Sequence, residues 1–220
     1  SGLPGFIGGL ILGIGFAAYV FSMYTTTVAN TNFIITTETI FLAAFGYFFL
    51  KEKINLITFI SIILGMSGVL IILGSSLSIQ TSEQFIGNIV AFIMPISFAV
   101  LVIIIRKYPK VDMVPAQFTA GVAAAIIGFL IAGQLSMSIH DLFLALLAGF
   151  FQIGFGFILI TVGSQTTPAA IVGVMMLTES VFGPLWAWLF INEVPPTAVI
   201  IGGCIIIFSI VFQSFFSKKV

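Results

Sequence analysis

Charge is what this sequence has least of: seven Lys+Arg and seven Asp+Glu make up 6% of 220 residues, where a soluble domain carries about 25%. A surface built from so few charges does not hold a globule in water. The 60% hydrophobic content and mean hydropathy of +1.29 point to the lipid bilayer as solvent. The two signs balance, leaving no basic stripe to neutralise phosphates, which excludes nucleic acid as a partner. One cysteine, Cys204, and one histidine, His140, exclude a disulfide framework, a Cys/His zinc site and most nucleophile–base pairs. No GxxxxGK[ST] stretch occurs, so this chain does not hydrolyse ATP itself. Nothing in the sequence asks for a cofactor or a metal. The short polar–apolar alternation of a transmembrane β-barrel is missing too.

What is present is long apolar runs. A hydrocarbon core needs about 20 apolar residues per helix, and the charged and turn-forming breaks divide the chain into eight such pieces. The expected helices are Leu3 to Tyr24, Thr27 to Leu50, Leu56 to Gly74, Phe85 to Ile105, Pro115 to Ala132, Leu142 to Val162, Pro168 to Ile191 and Pro196 to Phe216. Their connections are short, and the longest, Ser75 to Gln84, is Ser-rich. The fold class is therefore an all-α polytopic membrane bundle of eight spans. Lys51, Lys53, Arg106, Lys107, Lys110, Lys218 and Lys219 all fall on the side shared by the ends of the second, fourth, sixth and eighth spans. The other side carries Glu83, His140, Asp141 and Glu193. Cations near helix ends stay in the cytoplasm, which places the C-terminus there and the protein in the cell (inner) membrane.

Sliding the sequence along itself reveals a repeat with an offset of 141. At that shift Glu38 meets Glu179 and Glu52 meets Glu193; Gly8, Gly13, Gly15 and Phe16 meet Gly149, Gly154, Gly156 and Phe157. Apolar bias alone aligns Ile with Phe, but it does not align glycines and glutamates without a gap. The first three spans thus correspond to the last three. The unit is five helices, and an odd number sets its two copies oppositely in the bilayer. Residues 1–74 form a partial first copy of three helices and residues 85–216 a second copy of five. The counterparts of the fourth and fifth spans are expected as roughly two helices ahead of Ser1.

The stretch TTVANTNFIITTETIFLAAFGYFFLKEKINLITFISIILGMSGVLIILG, from Thr26 to Gly74, resembles part of an EamA repeat of the drug/metabolite transporter superfamily. TVGSQTTPAAIVGVMMLTESVFGPLWAWLFINEVPPTAVIIGG, from Thr161 to Gly203, is the closer match. The chain looks like the third to tenth helices of a ten-helix member. Glu52 in FLKEK and Glu193 in FINEV match the superfamily's acidic helix terminus. Many members carry Pro directly after the positions of Glu38 and Glu179; here Thr39 and Ser180 stand instead, which weakens the expectation of a helix break. The resemblance implies a carrier of small metabolites or drug-like solutes that works by alternating access around a central cavity.

Glu38 and Glu179 are the sharpest feature of the sequence. Each sits 11 residues or so into its span, roughly 16 Å along the axis, near mid-bilayer. A carboxylate there costs about 2.5 kcal/mol or more unless it is protonated, paired or facing water. Every Lys and Arg is accounted for in loops or tails, so no protein cation is left at that depth. The pair fits a proton or coupling-ion carrier, a counter-charge for a substrate amine, or a neutral acid bonded to Thr37 or Thr178 that locks two helices. Thr27, Asn30 and Thr31 share the face of Glu38 at helical spacing, while Val172, Met175, Met176 and Trp186 share that of Glu179. Asn30, Thr31, Tyr19, Gln152 and Trp186 are thus further candidates, with interhelical bonding and an interfacial aromatic belt as the competing readings. Glu52 and Glu193 read first as interfacial acids at turns. An intramembrane enzyme is disfavoured, because the one His is in a loop and no Asp lies in a span. The remaining alternative is a non-transporting fragment or partner subunit.

Overall fold

The apolar runs become helices that start at side-chain caps. The computed structural model describes residues 2–74, 81–132, 137–192 and 194–216. These form α1 (Gly2–Thr25), α2 (Val28–Thr36), α3 (Glu38–Leu50), α4 (Leu56–Leu73), α5 (Ser82–Ala91), α6 (Ile93–Lys107), α7 (Pro115–Ile131), α8 (Ile139–Leu147), a π-helical stretch (Ala148–Phe155), α9 (Gly156–Ser164), α10 (Ala169–Met176), α11 (Glu179–Ile191) and α12 (Thr197–Phe216). Thr27, Asn55, Thr81 and Ser138 each accept a bond from the backbone N–H three residues on, satisfying a donor that the helix itself leaves open. Ser138, which caps the sixth span, also donates to Asp141 Oδ2.

Among the described residues seven helical stretches are long and apolar enough to cross a membrane, with α2–α3, α5–α6, α8–α9 and α10–α11 each making one interrupted span. The fifth span, α7, has 17 residues, at the short end of the spanning range. The protein is an all-α polytopic membrane protein. Its buried core lies where α6 meets α1, α3 and α10, around Phe98, Leu101, Leu12 and Leu42.

The relation between the copies is visible where α4 packs on α12. Ser209 Oγ donates to the Ser61 carbonyl at 2.6 Å. Farther along, Gly68 and Gly202 lie so close that a Cβ on Gly202 would fall 2.5 Å from the Gly68 carbonyl oxygen. The 141-residue shift carries Ser61 onto Gly202 and Gly68 onto Ser209, so these are one contact made twice. As the residue number rises along α4 it falls along α12. Equivalent helices therefore run antiparallel about a pseudo-two-fold axis, the arrangement of an inverted repeat. The ends of the second and seventh spans repeat as well: Lys51 and Asn192, 141 apart, are both left-handed, at φ 56° and 57°.

Candidate functional site

The second and seventh spans both break one residue before their acid. Thr37 separates α2 from α3, and Leu177–Thr178 separates α10 from α11. No proline is needed. Thr37 Oγ1 donates to the Ile34 carbonyl at 2.5 Å and Thr178 Oγ1 to the Met175 carbonyl at 2.7 Å. The backbone N–H groups of both threonines bond the same i−3 carbonyls, so each break is a single tight turn of 3₁₀ type. The threonine hydroxyls are thereby committed to their own helices. Glu38 and Glu179 follow as the first residues of α3 and α11, at new helix N-termini in the middle of their spans.

Both carboxyls line one cavity of about 320 Å³, together with Asn32, Ile35, Thr36, Met176 and Ser180. Glu38 is 4% exposed, whereas Glu179 is exposed. The two lie within electrostatic reach of each other. Three pairs in the lining, Ile35 with Met176, Thr36 with Leu177 and Glu38 with Glu179, are related by the 141-residue shift, so the cavity sits on the pseudo-two-fold. Its far wall is Ile72 and Leu73, at the end of α4 away from the cation-bearing loops.

The other sequence candidates go to different places. Asn30 is buried and donates to Thr26 Oγ1, which in turn donates to Asn88 Oδ1, tying α2 to α5. Thr31 is fully buried. The spacing that puts both on the face of Glu38 assumes an unbroken helix; the tight turn at Thr37 shifts the register, and Asn32 and Thr36 reach the cavity instead. Tyr19 lies within electrostatic reach of Glu179 and lines a separate, mostly apolar cavity of about 880 Å³ with Phe16, Gln117 and Ile153. Gln152 is exposed on the π-helical stretch. Trp186 stacks between Phe182 and Phe190 on the exposed side of α11.

Glu52 has a structural task at the cation-bearing end. Its Oε1 accepts from Arg106 Nε at 2.7 Å, with Arg106 Nη2 at 2.5 Å, and its Oε2 accepts from the Ala169 N–H at 2.8 Å, capping α10. One carboxylate thus joins the ends of α3, α6 and α10. Sequence spacing carries no sign of this clamp, because its members lie 54 and 117 residues from Glu52. Glu193 lies outside the described residues.

A helical membrane bundle with inverted copies and an acidic cavity between them defines a transporter architecture. The chain belongs to the EamA-like transporter family, which matches residues 3–74 and 85–215. It is similar to an uncharacterized transporter of Clostridium kluyveri, 25% identical over 96% of this chain and 71% of that protein. It is also similar to one of Methanothermobacter thermautotrophicus, 26% identical over 76% of this chain and 51% of that protein. An S-adenosylmethionine uptake transporter of Rickettsia conorii is 26% identical over 96% of this chain, which spans 71% of that relative. A solved crystal structure shares the fold at TM-score 0.77 and 16% identity, covering 97% of this chain and 89% of that one.

Proposed function

We propose that this transporter moves a small solute bearing a cationic group, held between Glu38 and Glu179 while the two copies rock against each other. The observation that carries this reading is one cavity lined by both acids, with no Lys or Arg among the described residues of its lining. Two carboxyls at new helix N-termini in mid-membrane need compensation, and an ammonium or sulfonium on the solute supplies it. The antiparallel relation of residues 1–74 to residues 85–216 supports alternating access. The side carrying Lys51, Lys53 and Arg106 faces the cytoplasm of the inner membrane, by the cation rule. No catalytic step is assigned: the acids bind and release.

S-adenosylmethionine, a sulfonium zwitterion, is the first solute to test, given the name of the Rickettsia conorii relative. Proteoliposomes containing the protein should take up radiolabelled S-adenosylmethionine saturably, faster than protein-free vesicles. Equal rates would remove this solute from the proposal. Equal rates across a panel of cationic metabolites would remove the proposal itself.

A further inference from the structure

A second cavity, of about 500 Å³, opens at the cation-bearing end between the α4–α12 pair and the start of α10. Three of its lining positions repeat positions of the acidic cavity across the pseudo-two-fold: Gln213 and Ser214 stand here where Ile72 and Leu73 stand there, and Ala43 where Pro184 stands. The hydrogen bond from Thr39 Oγ1 to the Gly173 carbonyl, at 3.0 Å, lies on the second–seventh span seam. The equivalent pair on the other side, Asn32 and Ser180, lines the acidic cavity. The two cavities thus lie at opposite ends of the α4–α12 pair and of the second–seventh span seam.

Their chemistry is opposite. Glu52 lines the second cavity, but its charge is already met by Arg106 and the Ala169 N–H. Among the described residues of the lining the remaining formal charge is Lys53, which is exposed. Gln213, in the same lining, is fully buried: its Nε2 donates to Thr58 Oγ1 at 3.1 Å, while its Oε1 has no hydrogen-bond partner among the described residues. A buried amide oxygen with nothing to accept from is costly to keep. It is tolerated where a ligand N–H arrives to satisfy it.

We infer that this cavity is a second solute site, which takes a carboxylate at Lys53 and an adjacent N–H donor at Gln213 Oε1, the pattern of an α-amino-acid end group. The inference rests on the cationic-solute reading above and adds the group recognised at the cytoplasmic mouth. A zwitterion then meets acids at one mouth and a cation with an amide acceptor at the other.

The test is equilibrium binding of radiolabelled S-adenosylmethionine and of its decarboxylated analogue to the purified protein in nanodiscs. Wild-type protein should bind S-adenosylmethionine about ten-fold more tightly than the decarboxylated analogue, the size of one charge-assisted contact. Lys53→Gln should erase that ratio while leaving affinity for the decarboxylated analogue unchanged, and Gln213→Leu, which removes the acceptor for the amine that both solutes carry, should weaken both. Because Gln213→Leu also removes the bond to Thr58, Ser214→Cys in a Cys204→Ala background supplies an independent readout. Its maleimide labelling should be slowed by S-adenosylmethionine and not by the decarboxylated analogue. If the preference for the carboxylate survives Lys53→Gln, or Gln213→Leu leaves both affinities unchanged, or labelling is unaffected by bound S-adenosylmethionine, the second site is wrong while the acidic one stands. If neither solute binds wild-type protein, the second site as stated falls and S-adenosylmethionine leaves the candidates, while the cationic-solute reading is decided by the panel of cationic metabolites.

Discussion

Phe16 and Phe157, 141 positions apart, meet edge to face with ring centroids 5.0 Å apart and planes at 84°. They are the same position of the two copies, so their contact lies on the pseudo-two-fold that relates the first and sixth spans. Phe98 joins them, its ring 6.0 Å from that of Phe157. Edge-to-face pairs contribute about 1 kcal/mol beyond their burial. A double-mutant cycle on Phe16→Leu and Phe157→Leu, followed by thermal unfolding in detergent, should return a coupling of that size. A coupling of zero would mean that the copies do not rest on each other here.

The clamp around Glu52 should matter more to stability than a surface ion pair does. Both side chains of the Arg106–Glu52 pair are less than one-fifth exposed, and the carboxylate also caps α10. Arg106→Leu leaves Glu52 without its charged partner and should cost about 2 kcal/mol, read as a lower melting temperature. Arg106→Lys should recover only part of the loss, since an ammonium does not reproduce the guanidinium fork.

Gly173 is where the seventh span touches the second. A Cβ there would lie 2.8 Å from Thr39 Cα and 3.2 Å from the Thr39 carbonyl oxygen, backbone atoms that do not swing aside. Gly173→Val should therefore destabilise the protein by about 1–3 kcal/mol. It should also slow uptake by wedging the seam on which the crevice closes. Unchanged melting and uptake would place the moving contact elsewhere.

Much of the fold is legible in the residues because the bilayer imposes a simple rule: long apolar runs span, and charges, prolines and caps end them. The observed ends of α4 and α7 fall within one residue of the expected ones. The repeat is equally plain, since Gly8, Gly13, Gly15 and Glu38 recur in step. The helix breaks are harder to see. Their cause is a threonine hydroxyl bonded back to its own helix, a competition that Thr shares with many unbroken helices. The only trace is the Thr–Glu pair repeated at positions 37–38 and 178–179. Missing that turn misplaces the helix face and brings in Asn30 and Thr31 ahead of Asn32 and Thr36. Glu52–Arg106 and Gln213–Thr58 are tertiary pairings between distant segments, and no periodicity along one helix encodes them.

The account stands or falls on two equivalent carboxyls sharing one solute. Its most direct test is the initial rate of S-adenosylmethionine uptake into proteoliposomes by wild-type protein, Glu38→Gln and Glu179→Gln, each checked for unchanged melting temperature. A cation held between both acids predicts at least a ten-fold loss in each variant, equivalent to about 1.4 kcal/mol of lost stabilisation. Uptake at the wild-type rate in both variants would contradict the account and leave the acids as packing groups.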